Sequence, residues 1–459
     1  MPQRDQHNAS DESSQAQTSA QQCWEELVHQ RLPANLESQA RALGAFQRVR
    51  ELASAQLLLR ALLCYVLSLS SLKQLSGWSR LVGVSGKVLS AQAWHKRLQK
   101  AAPWLLWLFA DLLNLRLPAP TPPGGQRILL VDATFLNEMG AKGELWRLHC
   151  AYDLLAGVLA WVQVSDRQVG ESFANLPIQP GDILVGDKAY SKAPQLLAVD
   201  AAQAFSLARF SPWHLPVYAS QAPADTPEFR MDIRGWLAGL RPGTYQRHGL
   251  VIAAGKRLPV RLLAVVFPDE QAEALRQQKQ KQAREKGSKL SEPSLFFAGF
   301  HLLVTTLPEK QWPLALVLEL YRCRWQIEIL FKRIKQVLDT HRLPCRCSQT
   351  AQALIAALLV AWLLIEDEAG ELRRLITDAE PLELPVSSWQ LDQWALQGLQ
   401  NVVRGWWSPK RLRALAPELR RLFSEQRQRP LHEHQRRVRF QTLLTGEPDL
   451  VSVFDCSSA

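Results

Sequence analysis

The chain has 459 residues, 47% of them apolar, and carries 54 Lys and Arg against 43 Asp and Glu for a formal net charge of +11. At roughly 150 residues per domain that is about three domains' worth of chain. Its composition excludes a collagen, a small disulfide scaffold and a wholly disordered polypeptide. The positive balance points to a polyanionic partner, nucleic acid ahead of a membrane surface. Seven cysteines are scattered without a C-x-x-C pair, which argues against a zinc ribbon or a disulfide framework. Residues 1–22 are polar and lack the apolar stretch of a signal peptide. The longest apolar run, Ala353 to Ile365, falls short of the ~20 residues that span a bilayer. A soluble, cytoplasmic protein with no membrane association is therefore expected.

Residues 1–20, rich in Gln, Ser and Asp, read as a disordered tail. Residues 21–120 read as a helical N-terminal domain. Leu57–Leu59 with Leu62 and Leu63 recur at helical spacing, as do Trp104, Leu105, Leu108 and Leu112. Ser90 is placed to cap a basic helix beginning Ala91-Gln92-Ala93-Trp94-His95-Lys96-Arg97. Four prolines from Pro118 to Pro123, then Gly124-Gly125, mark a domain boundary.

Beyond the boundary the pattern changes. Ile128 to Val131 is a buried-strand run ending in Asp132. Trp146–Tyr152 and Val158–Val164 read as two strands around a turn, and Ile183–Gly186 as a further buried strand ending in Asp187. Apolar strands ending in acids, with helices between, predict a mixed α/β sheet. Residues 201–308 mostly lack helical periodicity and read as a β-rich insertion. Its strands are expected at Phe205–Arg209, Phe229–Ile233, Leu250–Ala254, Val260–Phe267 and Leu302–Thr305. Within it, Arg276 to Lys289 holds six basic residues against one acid, either a solvated charged segment or a DNA-backbone contact. A long helix is expected over Leu314 to Leu338 and a buried one over Ala351 to Ile365. Residues 371–459 read as a basic helical C-terminal region, with eleven Lys and Arg against three Glu between Arg404 and Arg439, and Trp406-Trp407 at its start.

Chemistry concentrates on the helix after Pro313. At about 100° per residue, Tyr321, Arg324, Glu328 and Lys335 share an arc of about 60°. Ile327, Leu330, Phe331, Ile334 and Leu338 form the apolar stripe beside it, so the polar arc lies at the edge of the packed face. A carboxylate there can hold a divalent cation, while Arg binds phosphate bidentately and Lys and Tyr add a charge and a hydroxyl. Asp132 and Asp187 at strand ends are placed to join Glu328, and three carboxylates so arranged can hold two Mg²⁺ ions about 4 Å apart. Asp153, Asp166 and Asp182 are read as turn acids, and His149 as a structural histidine. Cys345-x-Cys347 is read as incidental. Trp104, Trp107, Trp362 and Trp394 are read as core anchors.

The pattern Y-x2-R-x3-E-x6-K at Tyr321, Arg324, Glu328 and Lys335 resembles the hallmark of DDE transposases of the insertion sequence 4 family. Val131-Asp132-Ala133-Thr134 and Gly186-Asp187-Lys188-Ala189-Tyr190 resemble its two Asp motifs. Trp146–His149 and Gly170-Glu171-Ser172 also sit where relatives carry similar residues, and the resemblance covers about residues 85–370. It implies an RNase H-like catalytic domain over 124–200 and 309–370, split by the insertion, with Asp132, Asp187 and Glu328 as catalytic metal ligands for two Mg²⁺ (or Mn²⁺) ions. It further implies that Tyr321, Arg324 and Lys335 contact the transposon end, and that a homodimeric synaptic complex acts on double-stranded DNA at terminal inverted repeats and at a target. Relatives that form a hairpin place a Trp near the start of the insertion's last strand; here the equivalent is His301 or Phe300, either of which could stack on a base. The expected function is DNA cleavage and strand transfer at the nucleoid. A different RNase H-like endonuclease and a domesticated, non-catalytic DNA-binding protein are the alternatives.

Overall fold

A computed structural model describes residues 22–116, 126–136, 146–223, 226–285, 287–338, 345, 347–379, 387–405, 413 and 415. The tail 1–20, the Pro-Gly break at 118–125, Trp406-Trp407 and nearly all of the basic stretch 404–439 lie outside them.

The helical start matches the sequence pattern. Helices α1 (22–31), α2 (Leu36–Ala42), α3 (Ala55–Ser68), α4 (Leu72–Leu81) and α5 (Ala91–Arg116) follow one another. Ser54 and Ser71 cap α3 and α4 through their side chains, and the Ser90 hydroxyl accepts from Ala93 N at 3.1 Å as a cap of α5. Trp94 and Trp104 on α5 are fully buried.

The chain then forms β1 (Ile128–Leu136), β2 (Trp146–Asp153), β3 (Val158–Asp166), β4 (Ile183–Gly186), α6 (Ala193–Ala201) and β5 (Phe205–Arg209). Through the insertion run α7 (Ile233–Ala238), β6 (Gly243–Ala253), β7 (Lys256–Val266), α8 (Asp269–Glu285), α9 (Glu292–Phe296) and β8 (Phe300–Thr305). The strands make one eight-stranded mixed sheet in the order β3-β2-β1-β4-β5-β8-β7-β6. The insertion's strands extend the central sheet, because β5, at the start of 201–308, pairs parallel with β4 and β8 pairs antiparallel with β5. This mixed α/β architecture is that expected of an RNase H-like fold.

Both faces of the sheet are covered. Leu130, Val185, Leu207 and Leu303 point into one core, with the helices. Leu129, Val131, Leu184, Ala208 and Val304 point into the other. This two-sided burial explains why β1 and β4 read as continuous apolar runs and not as alternating ones.

Four readings are corrected. Asp132 does not end its strand: β1 runs on to Leu136 against β2, and only its pairing with β4 stops, at Leu130. The expected strand Phe229–Ile233 does not form: Pro227–Phe229 is a 3-10 turn, Arg230 makes an isolated bridge to Tyr218, and Asp232 caps α7. The single helix expected over 314–338 is two, α10 (Leu314–Cys323) and α11 (Trp325–Val337), with Arg324 between them. There Arg324 N bonds Tyr321 O, an i→i−3 contact that tightens the junction. Trp394 is 71% exposed and anchors no core.

Helices α12 (Ser348–Ala379) and α13 (Ser388–Arg404) complete the described chain. Its Ser348–Ile376 stretch is long and apolar enough to cross a membrane by length and composition, but 83% of its apolar window is buried inside the protein. It packs on α5, α3 and α13 as the central core helix.

Candidate active site

Strand register builds the site. β1 and β4 are parallel, with Leu130 opposite Val185 as the last pair. Asp132 and Asp187 each lie two residues past that pair, so they stand at the same level. Side chains alternate along a strand. Ile128 and Leu130 of β1, and Ile183 and Val185 of β4, face the helical core, so Asp132 continues that side. α11 packs on β1 from the same side.

Asp187 caps the short turn Lys188–Tyr190, its Oδ1 accepting from Ala189 N at 2.7 Å. Tyr190 is buried and packs on Phe173 with ring centroids 4.7 Å apart. A Cβ on Gly186 would lie 2.7 Å from the Tyr190 ring. The Gly-Asp-Lys-Ala-Tyr run is thus a clasp in which the Tyr anchors the turn, the Gly makes room for it, and the Asp is presented.

Asp132 accepts from Ala133 N at 2.8 Å and its side chain is 16% exposed. Burial pushes its carboxyl up to about 7; among nearby charges, Asp187 and Glu171 raise it and Arg324 lowers it. Glu171 is likewise raised, by burial and then by Asp187. The buried amide of Gln195 donates to the backbone oxygens of Glu171 at 3.1 Å and Ala189 at 3.2 Å, tying the two acidic segments together. Neither Gln195 nor a carboxylate role for Glu171 was evident from strand-end patterns. The Gly-Glu-Ser match was the only signal.

On the helical side, Arg324 Nη2 donates to Glu328 Oε1 at 2.5 Å, and its Nη1 lies 3.9 Å from Asp132 Oδ2. The junction between α10 and α11 therefore sets a guanidinium between the two carboxylates. Tyr321 is buried, with Arg324 5.8 Å from its ring centroid, and His301 packs edge-on against it at 5.2 Å. Burial, then Arg209 and Arg324, hold the His301 imidazole down to about 4. Lys335 is half-buried on α11, seven residues and so about 10 Å along the helix from Glu328.

The other acids take the structural places expected of them. Asp153 closes the β2–β3 turn, Asp182 pairs with Arg127, and Asp166 accepts from Gln168 N. His149 bonds Ser165 at 2.8 Å.

A family model described as "Transposase DDE domain" matches residues 123–364. This chain belongs to the DDE transposase family. It is 32% identical over 349 residues to the transposase for insertion sequence element IS421 of Escherichia coli, covering 74% of this chain and 92% of that protein. It is 26% identical over 406 residues to the transposase for IS231E of Bacillus thuringiensis subsp. finitimus, covering 79% and 83%. The transposase is thus an enzyme that cleaves DNA, transfers strands and depends on a divalent metal.

The donor chemistry fits such a cation. Asp187 raises the proton affinity of both Asp132 and Glu171, and Glu171 adds to that of Asp132, an excess of negative charge at one place that a hard dication relieves. Among the described residues, no three His, Cys, Asp or Glu side chains are gathered closely enough to hold an ion as they stand. Glu328 is engaged by Arg324.

Proposed function

We propose that the transposase belongs to the insertion sequence 4 branch of its family and that Asp132, Asp187 and Glu328 are its catalytic metal ligands, holding two Mg²⁺ (or Mn²⁺) ions. The observation that carries this reading is the level placement of Asp132 and Asp187 on parallel strands, with Glu328 joined to Asp132 through Arg324. The bound ions supply activation of the attacking oxygen and stabilisation of the leaving oxygen. Glu328, which now accepts from Arg324, would hold an ion with Asp132 and Asp187, and the Arg324 guanidinium would take phosphate oxygens as a fork. Lys335 adds a point charge further along the strand. Tyr321 offers its hydroxyl, and His301, kept neutral, contacts DNA beside it without bringing a further charge.

The DNA is that of the element's terminal inverted repeats and of a target site at the bacterial nucleoid, held in a homodimeric synaptic complex. Residues 21–120 would read the terminal repeat, through basic groups such as Lys96 and Arg97 on α5. Residues 124–200 and 309–370 form the catalytic domain, 201–308 the insertion, and 371–459 a basic C-terminal region.

The test is strand transfer with Mg²⁺, a labelled terminal-repeat duplex and a plasmid. Joined product is expected, and cleavage without joining would favour a different RNase H-like endonuclease. Asp132→Ala, Asp187→Ala and Glu328→Ala should each abolish cleavage and retain DNA binding. A variant that cuts at the wild-type rate removes that residue from the set.

A further inference from the structure

Two short turns flank the carboxylate centre, and one buried side chain joins them. The first turn, Phe173–Asn175, is capped by Ser172 directly after Glu171. The second, Lys188–Tyr190, is capped by Asp187. Gln195, on α6, is 6% exposed. Its Nε2 donates to Glu171 O at 3.1 Å and to Ala189 O at 3.2 Å, and its Oε1 accepts from Phe173 N at 3.4 Å. Only one orientation of the amide allows these bonds. Turned over, its oxygen would face two carbonyls and its NH₂ group an N–H.

Helix packing does not call for a Gln here. Leu196 and Val199 of α6 are fully buried in the core on that side of the sheet and hold the helix down. A long amide beside them loses rotamer freedom and hydration that an apolar side chain would not have to give up. The Gln195 bonds go instead to backbone groups of the two segments. The Phe173–Tyr190 ring contact joins the same segments, but apolar contact is non-directional, whereas hydrogen bonds fix orientation.

The bonds meet on one residue. Ala189 O is held by Gln195, and Ala189 N donates to Asp187 Oδ1 at 2.7 Å. The turn is three residues long, and Ser191 Oγ closes it further by donating to Lys188 O at 3.0 Å. Little slack therefore separates the Gln195 amide from the Asp187 carboxylate. Carboxylates that ligate metals are oriented by outer hydrogen bonds of this kind.

We propose that Gln195 is a positioning residue for Asp187: it holds Ala189 so that the Ala189 N–H keeps Asp187 Oδ1 and the other carboxylate oxygen is presented to the divalent metal. This role rests on the reading of Asp187 as a metal ligand. It adds a residue outside the three-acid motif that sets how tightly the ion is held.

The test uses the full chain bound to a terminal-repeat duplex that already ends at the cut site, so that metal binding is read without cleavage. Mn²⁺ is titrated in, and the free ion is followed by electron paramagnetic resonance against the duplex alone. Gln195→Met, close in volume but unable to donate, should bind Mn²⁺ about 10- to 100-fold more weakly. Its affinity for the duplex in EDTA should be unchanged. Cleavage of an uncut duplex should need correspondingly more Mg²⁺, and saturating Mg²⁺ should restore most of the rate. Gln195→Asn withdraws the amide by one methylene and keeps the place polar. It should weaken Mn²⁺ binding in the same direction, and it carries the test if the Met variant does not fold. Leu196→Ala leaves a cavity on the same helix without touching the amide, so it should lower the melting midpoint and leave Mn²⁺ affinity unchanged. Wild-type Mn²⁺ affinity in the folded Gln195 variants, or an equal loss in Leu196→Ala, overturns the positioning role. If Asp187→Ala loses Mn²⁺ while the Gln195 variants keep it, the positioning role alone fails. If Asp187→Ala binds Mn²⁺ as the wild type does, the ligand reading fails and the positioning role with it.

Discussion

Asp132, proposed above as a metal ligand, shows what a half-buried carboxylate costs its own fold. Its carboxyl is pushed up to about 7, with burial as the first cause. Between the unfolded value near 4 and 7 the folded protein binds more protons than the unfolded chain, so this group makes stability fall as pH rises through that window. In EDTA, Asp132→Asn should therefore be more stable than wild type at about pH 8, by roughly 1–3 kcal/mol, and about equal to it near pH 4. Thermal melts at the two pH values check this, and equal midpoints at the higher pH would show that the acid is not strained. Gly186 makes the complementary point. A Cβ there meets the Tyr190 ring at 2.7 Å, so Gly186→Ala should destabilise by about 1–3 kcal/mol and displace Asp187, lowering cleavage more than DNA binding.

At the scale of elements, α13 fixes the helix that bears Glu328. Asp392 on α13 is fully buried and accepts from Arg333 of α11 at 2.7 and 2.8 Å. At its other end α13 is held by the N-terminal helices: buried Arg60 donates to Val403 O and Val402 O, and Trp78 Nε1 to Arg404 O. Asp392→Ala leaves a guanidinium without its partner and should cost about 3–5 kcal/mol. An apolar pair, Arg333→Met with Asp392→Leu, should recover most of that loss in denaturant melts. A double variant no more stable than the single one would show that the pair is not the source. The junction between α10 and α11 belongs to the same scale. Helical spacing placed Tyr321, Arg324, Glu328 and Lys335 on one arc, and although the helix breaks at Arg324, Tyr321 and Glu328 both still meet that residue. The shared arc survives the break because Arg324 keeps helical dihedrals.

For the whole molecule, charge and connectivity decide. The net charge of +11 is concentrated outside the carboxylate centre, as in Arg276 to Lys289, whose six bases face one acid. α8 holds most of that run. DNA binding should consequently weaken steeply with salt, as phosphate neutralisation releases counterions; a titration between low and physiological salt reads the slope, and a flat line would deny the basic stretches a backbone role. Removing residues 388–459 would strip away α13, leaving Arg60 and Arg333 without the acceptors described above. That truncation should lower the melting temperature of the remaining chain and with it cleavage, even though residues 123–364 stay intact.

The sequence by itself determined the acid that follows β4, the order of the motifs, the helical N-terminus and the turn roles of Asp153, Asp166 and Asp182, because these follow from local periodicity and turn chemistry, whereas Asp132 lies within β1 and not at its end. Only the tertiary structure decided the rest. It put Asp132 and Asp187 at one level through parallel register, brought Glu171 to their side through the Gln195 tether, and ran the insertion's strands into the central sheet through β5. It also left Trp394 exposed where composition suggested a core anchor, and replaced the strand expected at 229–233 with a 3-10 turn, an isolated bridge and the cap of α7. Register, crossover and burial depend on contacts between residues far apart in the chain, and no local pattern records which distant segment will supply the neighbour.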